Sequence, residues 1–203
     1  VKIVQEADYI YREEIAKAET AGSNPIPKGM SKQDYAELKF GEALSEQDDY
    51  DLLVMGHTQG KGCYCFVNGL LTTQIARYAK NYKYVVDNEA GMEHISRGIL
   101  PSVDTIILVS DCSRRGVQAV GRIARLIPEC GLKPKSVGLI INRAPGGVLN
   151  AGTKEEIEKQ GLHLLGVVPQ DEQVFEYDCD GVPTVKLPED SPVRKALYSI
   201  IDQ

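Results

Sequence analysis

Two cysteines one residue apart, Cys63-Tyr64-Cys65, follow the segment Gly60-Lys61-Gly62. In an extended or turned segment, residues i and i+2 point to the same side, so the two thiolates can share one metal ion. Two ligands are half of a tetrahedral shell. Either two further side chains or the same pair from a second copy across a two-fold axis completes it. His57 and His94 carry suitable nitrogens, although the spacing does not require them. The competing reading is a pair of small apolar residues ahead of a helix. Cys112, Cys130 and Cys179 stand singly and read as packing residues. Five cysteines is an odd number, and the first residues show no secretory pattern, which points to thiols or metal ligands and not to a disulfide framework.

Carboxylates and amides collect where apolar runs end. Tyr84-Val85-Val86 leads into Asp87-Asn88-Glu89-Ala90-Gly91-Met92-Glu93-His94. An apolar strand ending in Asp is how nucleotide hydrolases place a carboxylate on magnesium or its water, and Gly91 gives a backbone free to approach a phosphate. A plain strand end before a capped helix fits the same residues equally well. Ile141-Asn142-Arg143 ends another run: an Asn amide can donate to and accept from a purine edge, and an Arg can cover it. Taken alone, those residues fit a turn before Pro145-Gly146-Gly147 better. Ser113 is placed to cap a helix that opens with Arg114 and Arg115. Cations at a helix N-terminus oppose its dipole, so they suggest an anion or an acidic partner nearby, or else a solvated face. Gly56-His57-Thr58-Gln59-Gly60-Lys61-Gly62 fails the phosphate-loop template Gly-x-x-x-x-Gly-Lys-Ser/Thr, being one residue short between the glycines and having Gly62 after the lysine.

The elements that must position these residues follow from the pattern. Asp51–Met55, Lys83–Asp87, Thr105–Val109, Val137–Ile141 and Leu164–Val168 are short continuous apolar runs, as strands of a covered parallel sheet read. Helical patterns occupy Asn68–Tyr82, Ser113–Cys130, Thr153–Gln160, Gln173–Cys179 and Ser191–Ile201. The alternation predicts an α/β fold, a doubly wound, mainly parallel sheet with helices on both faces. Ligands of such sheets bind beyond the carboxyl ends of the strands. Residues 1–49 are polar, with helix-like stretches at Asp8–Thr20 and Ser31–Leu44. They read as a variable region attached to a core at 50–203 within a single α/β domain. The chain has 203 residues, 42% hydrophobic, with 23 Lys and Arg against 29 Asp and Glu. A net charge of −6 argues against a general nucleic-acid binder, which needs a basic face. No apolar run reaches the ~18 residues of a membrane span, so a cytoplasmic protein without a membrane or nucleic-acid partner is expected.

In order, Gly62-Cys63-Tyr64-Cys65, Asp87–His94 with Arg97-Gly98, Ser113-Arg114-Arg115, Ile141-Asn142-Arg143 and Gly166-Val167-Val168-Pro169-Gln170-Asp171 resemble the CooC family. Those ATPases assist nickel insertion into carbon monoxide dehydrogenase and form a branch of the MinD/ParA and nitrogenase-iron-protein class of dimeric phosphate-loop NTPases. The resemblance covers about residues 50–203. It implies ATP and Mg as cofactors, Asp87 as the Walker B carboxylate near magnesium, and Glu89, Ala90 and Gly91 as the switch that senses the γ-phosphate. It implies that Asn142, with Arg143, recognises the base and that Pro169, Gln170 and Asp171 line the adenine pocket. Cys63 and Cys65 match the metal pair, holding Ni or Zn jointly with a second subunit. The implied partners are a homodimer mate and carbon monoxide dehydrogenase as client.

The strand, lysine-bearing phosphate loop, helix and Asp-x-Asp switch that open these ATPases have no counterpart in the sequence. The chain thus reads as lacking its first ~50 residues and two central strands, and the 203-residue chain is expected not to hydrolyse ATP alone. Two other readings remain: a MinD/ParA-like positioning or partner-binding ATPase, and a nucleotide-free metal-binding relative.

Overall fold

Val, Ile and Leu dominate the three apolar runs at 105–109, 137–141 and 164–168, and in the computed structural model these runs pair with one another. The structure describes residues 13–18, 20–54, 72–73, 75–76, 83–88 and 102–202. The chain divides into two units, Val1–Val86 and Asp87–Gln203.

In the first unit, residues 13–18 are helical and α1 spans Lys32–Gly41. A reciprocal cap starts α1: Asp34 N–H donates to Ser31 Oγ at 3.0 Å, and Ser31 N–H donates to Asp34 Oδ2 at 3.1 Å. Tyr35 Oη donates to Glu14 Oε2 at 2.7 Å and Lys39 Nζ to Glu14 Oε1 at 3.3 Å, which ties α1 to the preceding helical segment. Ala18, Tyr35, Ala36 and Ala43 are buried. Two two-residue strands, β1 (Ser45–Glu46) and β2 (Asp51–Leu52), pair antiparallel. The run 51–55 therefore does not begin a parallel strand as its composition predicts. The turn through Asp48-Asp49, closed by Gln47 N–H donating to Tyr50 O at 3.0 Å, offers a partner a few residues away at little loop-closure cost.

In the second unit, β3 (Thr105–Asp111), β4 (Ser136–Ala144) and β5 (Leu164–Pro169) form a parallel sheet in the order β3-β4-β5. Between them run α2 (Arg114–Glu129) and α3 (Ala151–Lys159), and after β5 come α4 (Glu172–Cys179) and α5 (Pro192–Ile201). Side chains alternate across β4. Leu139 and Ile141 join Leu108, Val117, Val120, Leu149 and Ile157 in a core against α2 and α3. Ile140 joins Val168 and Ile200 in a second cluster under α5. Both faces of β4 are thus covered, as a continuous apolar run requires. Two glycines make room for neighbouring side chains. A Cβ on Gly138 would overlap Leu165, and one on Gly166 would overlap Ile200.

The fold class is the expected one, an α/β sheet with helices on both faces. One expected strand is not formed: residues 83–88 are in neither strand nor helix, and Val85 is 98% exposed. A strand is an agreement between two backbones, and among the described residues no strand pairs with this segment. β3 is likewise paired only to β4 among the described residues, and Ile107 and Val109 are about half exposed.

Candidate functional site at the carboxyl end of the sheet

The loops leaving β3, β4 and β5 open at the same end because the strands are parallel. Register puts Asp111 opposite Asn142 and Ala144 opposite Pro169, with shifts between Ile141 and Ala144 that loosen the ladder around Asn142 and Arg143. Arg143 has φ 56°, and it is the only residue besides glycine with positive φ among the described residues. Its N–H donates to Asn142 Oδ1 at 2.9 Å. That bond fixes the Asn142 amide and leaves Nδ2 as a donor. Left-handed backbone costs an arginine roughly 1–2 kcal/mol, and such strain concentrates where a loop binds something. Gly146 and Gly147 continue in left-handed conformation, and Gly147 packs beside Pro169.

β5 delivers the second wall. Gln170 N–H donates to Ala144 O at 2.9 Å, which joins the two loops directly. Asp171 caps α4, its Oδ1 accepting from Gln173 N–H at 2.9 Å. Its other oxygen, Oδ2, is buried with no hydrogen-bond partner among the described residues. An unpaired buried carboxylate oxygen carries a desolvation penalty until a donor reaches it. Asn142, Arg143, Pro169, Gln170 and Asp171, named from sequence in two separate segments, thus lie in one continuous cluster. The arrangement offers an amide donor, a guanidinium, a proline face and a free carboxylate oxygen. A flat heteroaromatic ring with donors and acceptors on one edge fits that set.

The third loop is built from side chains. Asp111 Oδ1 accepts from Ser113 Oγ at 2.6 Å and from Ser113 N–H at 2.9 Å, and Ser113 Oγ accepts from Gly116 N–H at 3.0 Å. The Ser113 hydroxyl, then the Ser113 N–H, hold the Asp111 carboxyl below its ordinary pKa against the opposing effect of burial. A Cβ on Gly116 would overlap the Asp111 carboxylate, so glycine lets the carboxylate sit in this turn as it does. Behind it stands a buried acid that sequence reasoning did not single out, Glu156 of α3. It is paired to Arg114 at 3.1 Å, with Arg114 56% exposed and Glu156 0% exposed. Hydrogen bonds from Gln160, Arg114 and Gln118 hold the Glu156 carboxyl below its ordinary pKa, while burial opposes them. The signal was the cation at the start of α2, which called for an acidic partner.

Asp87 is exposed, at the end of the segment that forms no strand. Glu89, Gly91, Cys63 and Cys65 lie outside the described residues. Among the described residues no group of three or more His, Cys, Asp or Glu is placed to hold a metal ion. Also among them, no helix is long and apolar enough to cross a membrane.

The chain is 39% identical over 197 residues to an uncharacterised ATP-binding protein of Methanocaldococcus jannaschii, an alignment covering 95% of the chain and 75% of that protein. It is similar in fold to the septum site-determining protein MinD of Pyrococcus horikoshii, solved with Mg-ADP, at TM-score 0.61 and 17% identity over 88% of the chain and 74% of MinD. The chain belongs to the family of the Methanocaldococcus jannaschii ATP-binding protein and has the α/β fold of phosphate-loop NTPases. It is also similar to the carbon monoxide dehydrogenase accessory protein CooC of Rhodospirillum rubrum, 29% identical over 84% of the chain and 63% of CooC. A ParA family ATPase from Chlorobium tepidum superposes at TM-score 0.58 and 22% identity, over 78% of the chain and 64% of that structure. No protein-family model matches the chain.

Proposed function

We propose that this chain supplies the nucleotide- and metal-binding body of a CooC-like ATPase that assists nickel insertion into carbon monoxide dehydrogenase. The observation that carries the nucleotide part is the convergence of Asn142-Arg143 with Pro169-Gln170-Asp171 at the carboxyl end of the sheet, joined by the Gln170–Ala144 hydrogen bond. With Asn142 Oδ1 taken by Arg143 N–H and Asp171 Oδ2 unpaired, Asn142 Nδ2 would donate to a ring nitrogen of the base and Asp171 Oδ2 would accept from an exocyclic amine. Adenine presents one acceptor and one amine on its Hoogsteen edge and so suits both groups. Pro169 would offer the ring an apolar face, and Arg143 would be available to cover it. ATP with Mg supplies phosphate-transfer energy when bound. Asp87 is assigned to the magnesium water, and Glu89 and Gly91 to sensing of the terminal phosphate.

The family resemblance carries the metal part. Cys63 and Cys65 supply two thiolates, and the same pair from a second copy completes a tetrahedral site for Ni or Zn as cargo. Dimer formation and metal binding are therefore one event in this reading. Native mass measurement during zinc and nickel titration tests it on the wild-type chain and on a Cys63→Ser/Cys65→Ser variant. One metal per two chains, with dimer and metal both lost in the variant, is the expected result. A chain that stays metal-free under reducing conditions removes the metal half of the proposal. Titration with a fluorescent adenine nucleotide tests the other half, with preference over the guanine analogue expected.

A further inference from the structure

The interface between α2 and α3 holds a carboxylate that no step of the proposed nucleotide chemistry uses. Glu156 Oε2 accepts from Arg114 Nη2 at 3.1 Å, and Oε1 accepts from Gln160 Nε2 at 2.9 Å. Gln160 Oε1 accepts in turn from Arg125 Nη1 at 2.9 Å. One turn earlier, Thr153 is 1% exposed, and its hydroxyl donates to the carbonyl of Cys112 at 2.7 Å. Its N–H donates to Asn150 Oδ1 at 2.9 Å, the cap of α3. Thr153 and Glu156 on α3, with Gln160 at its C-cap, form a stripe that meets Cys112, Arg114 and Arg125 along α2 and the turn before it.

Enclosing a charge is expensive, and an apolar pair of the same volume commonly holds two helices together as well or better. What hydrogen bonds add is direction. They fix how far α3 is shifted and rotated along α2, which apolar contacts leave looser. That setting matters at the other end of the network. Between β4 and α3 runs the Pro145–Asn150 loop; just before it the chain passes through left-handed Arg143, and within it through Gly146 and Gly147. Glycines give that stretch many alternative paths. β4 holds one end of it, and α3 holds the other.

We infer that Glu156 is a positioning residue. Through Arg114 and Gln160 it locks α3 onto α2, so that the Asp111–Arg114 turn and the Asn142–Thr153 segment form a single platform. Two bonds one helical turn apart, Thr153 to Cys112 and Glu156 to Arg114, join the same two segments, and Asn142 is the register partner of Asp111. The consequence for ligand affinity rests on the nucleotide reading above, whereas the platform itself does not.

Hydrogen–deuterium exchange on the 203-residue chain tests this with the wild type, Glu156→Gln and Thr153→Val. In Glu156→Gln the amides of residues 143–150 should exchange about tenfold faster, with Leu139, Ile140 and Ile141 unchanged. Unchanged loop rates overturn the inference, and so does a uniform rise across the whole unit, which marks a general loss of stability. If Glu156→Gln does not fold, Arg114→Lys keeps the charge and loses the fork, and it should give the same local pattern in weaker form. Titration with a fluorescent adenine nucleotide accompanies each variant, and Glu156→Gln should bind about fivefold more weakly. A wild-type chain that binds no adenine nucleotide removes the nucleotide reading, and the exchange comparison then decides the positioning role by itself.

Discussion

Replacing Gly166 by alanine puts a methyl group where α5 already is. An added Cβ would overlap Ile200 Cγ1 and lie 2.6 Å from its Cδ1, with Cβ itself 3.7 Å away. Ordinary carbon contacts are about 3.5–4.0 Å, so α5 must move outward by an appreciable fraction of an ångström or Ile200 must leave its rotamer. Overpacking of this kind costs about 1–3 kcal/mol. Ile200 is 9% exposed and belongs to the small cluster with Ile140 and Val168, so Ile200→Ala alone should cost about 2–3 kcal/mol, the lower part of the usual range. Alanine at 200 lacks both clashing atoms. The double variant should therefore cost no more than Ile200→Ala alone, a coupling of about 1–3 kcal/mol between the sites. Urea unfolding followed by circular dichroism reads this. With a slope of about 2 kcal/mol/M, a loss of about 2 kcal/mol moves the midpoint by about 1 M. Costs that add to within about 0.5 kcal/mol would refute the reasoning, because α5 would then not rest on Gly166. The stake is functional as well, since β5 runs from Gly166 directly into Pro169, Gln170 and Asp171.

Arg143→Gly should raise stability by up to about 1 kcal/mol, the left-handed strain relieved less the entropy of glycine, while weakening adenine-nucleotide binding. A thermal melt paired with a nucleotide titration separates the two effects, and a variant less stable by more than about 1 kcal/mol contradicts the strain argument. Asp171→Ala removes the α4 cap, worth about 1 kcal/mol, and also removes the unpaired buried oxygen, so its stability should change little while its affinity for adenine nucleotide falls. A loss above about 2 kcal/mol in urea unfolding would mean that Oδ2 already has a donor. The lowered pKa of Asp111 stabilises the fold at pH values above the unfolded carboxyl, near about 4, and that contribution disappears as pH falls through the folded value. Ser113→Ala should flatten this acid limb in melting temperature against pH, and an unaltered limb would dissociate Asp111 from Ser113.

Three of the five apolar runs became the parallel sheet, with ends extended by one to three residues. The extension of β4 from Ile141 to Ala144 comes from backbone pairing that polar Asn142 and Arg143 do not advertise. Ser113 was legible as a cap and accepts the expected N–H from Gly116; the helical pattern from Ser191 likewise opens on a cap, Ser191 Oγ accepting from Arg194 N–H. At the site, residue types were legible and conformation was not. Nothing in the letters Asn-Arg-Ala announces a left-handed arginine, because that φ arises from the register shift where β4 leaves β5. Glu156 was hidden for a similar reason. A Glu in a charged helix reads as solvated, and only the packing of α3 on α2 encloses it.

The contrast between Ile106–Val109 and Tyr84–Val86 shows what composition encodes. Both runs are apolar and of strand length, yet only the first is a strand among the described residues. Leu108 has α2 on its face and β4 on its edge, so its burial and its backbone hydrogen bonds are gained together. Val85, 98% exposed, has neither an apolar contact of that kind nor a ladder. Apolar content thus states a demand for cover, and the neighbours decide whether it is met. The same logic governs the site. Asn142 and Asp171 come to the same end of the sheet only because β4 and β5 are parallel neighbours, which brings their carboxyl ends side by side and lets the Gln170–Ala144 bond close the gap between two loops 27 positions apart, as the numbering from Asn142 to Pro169 gives it.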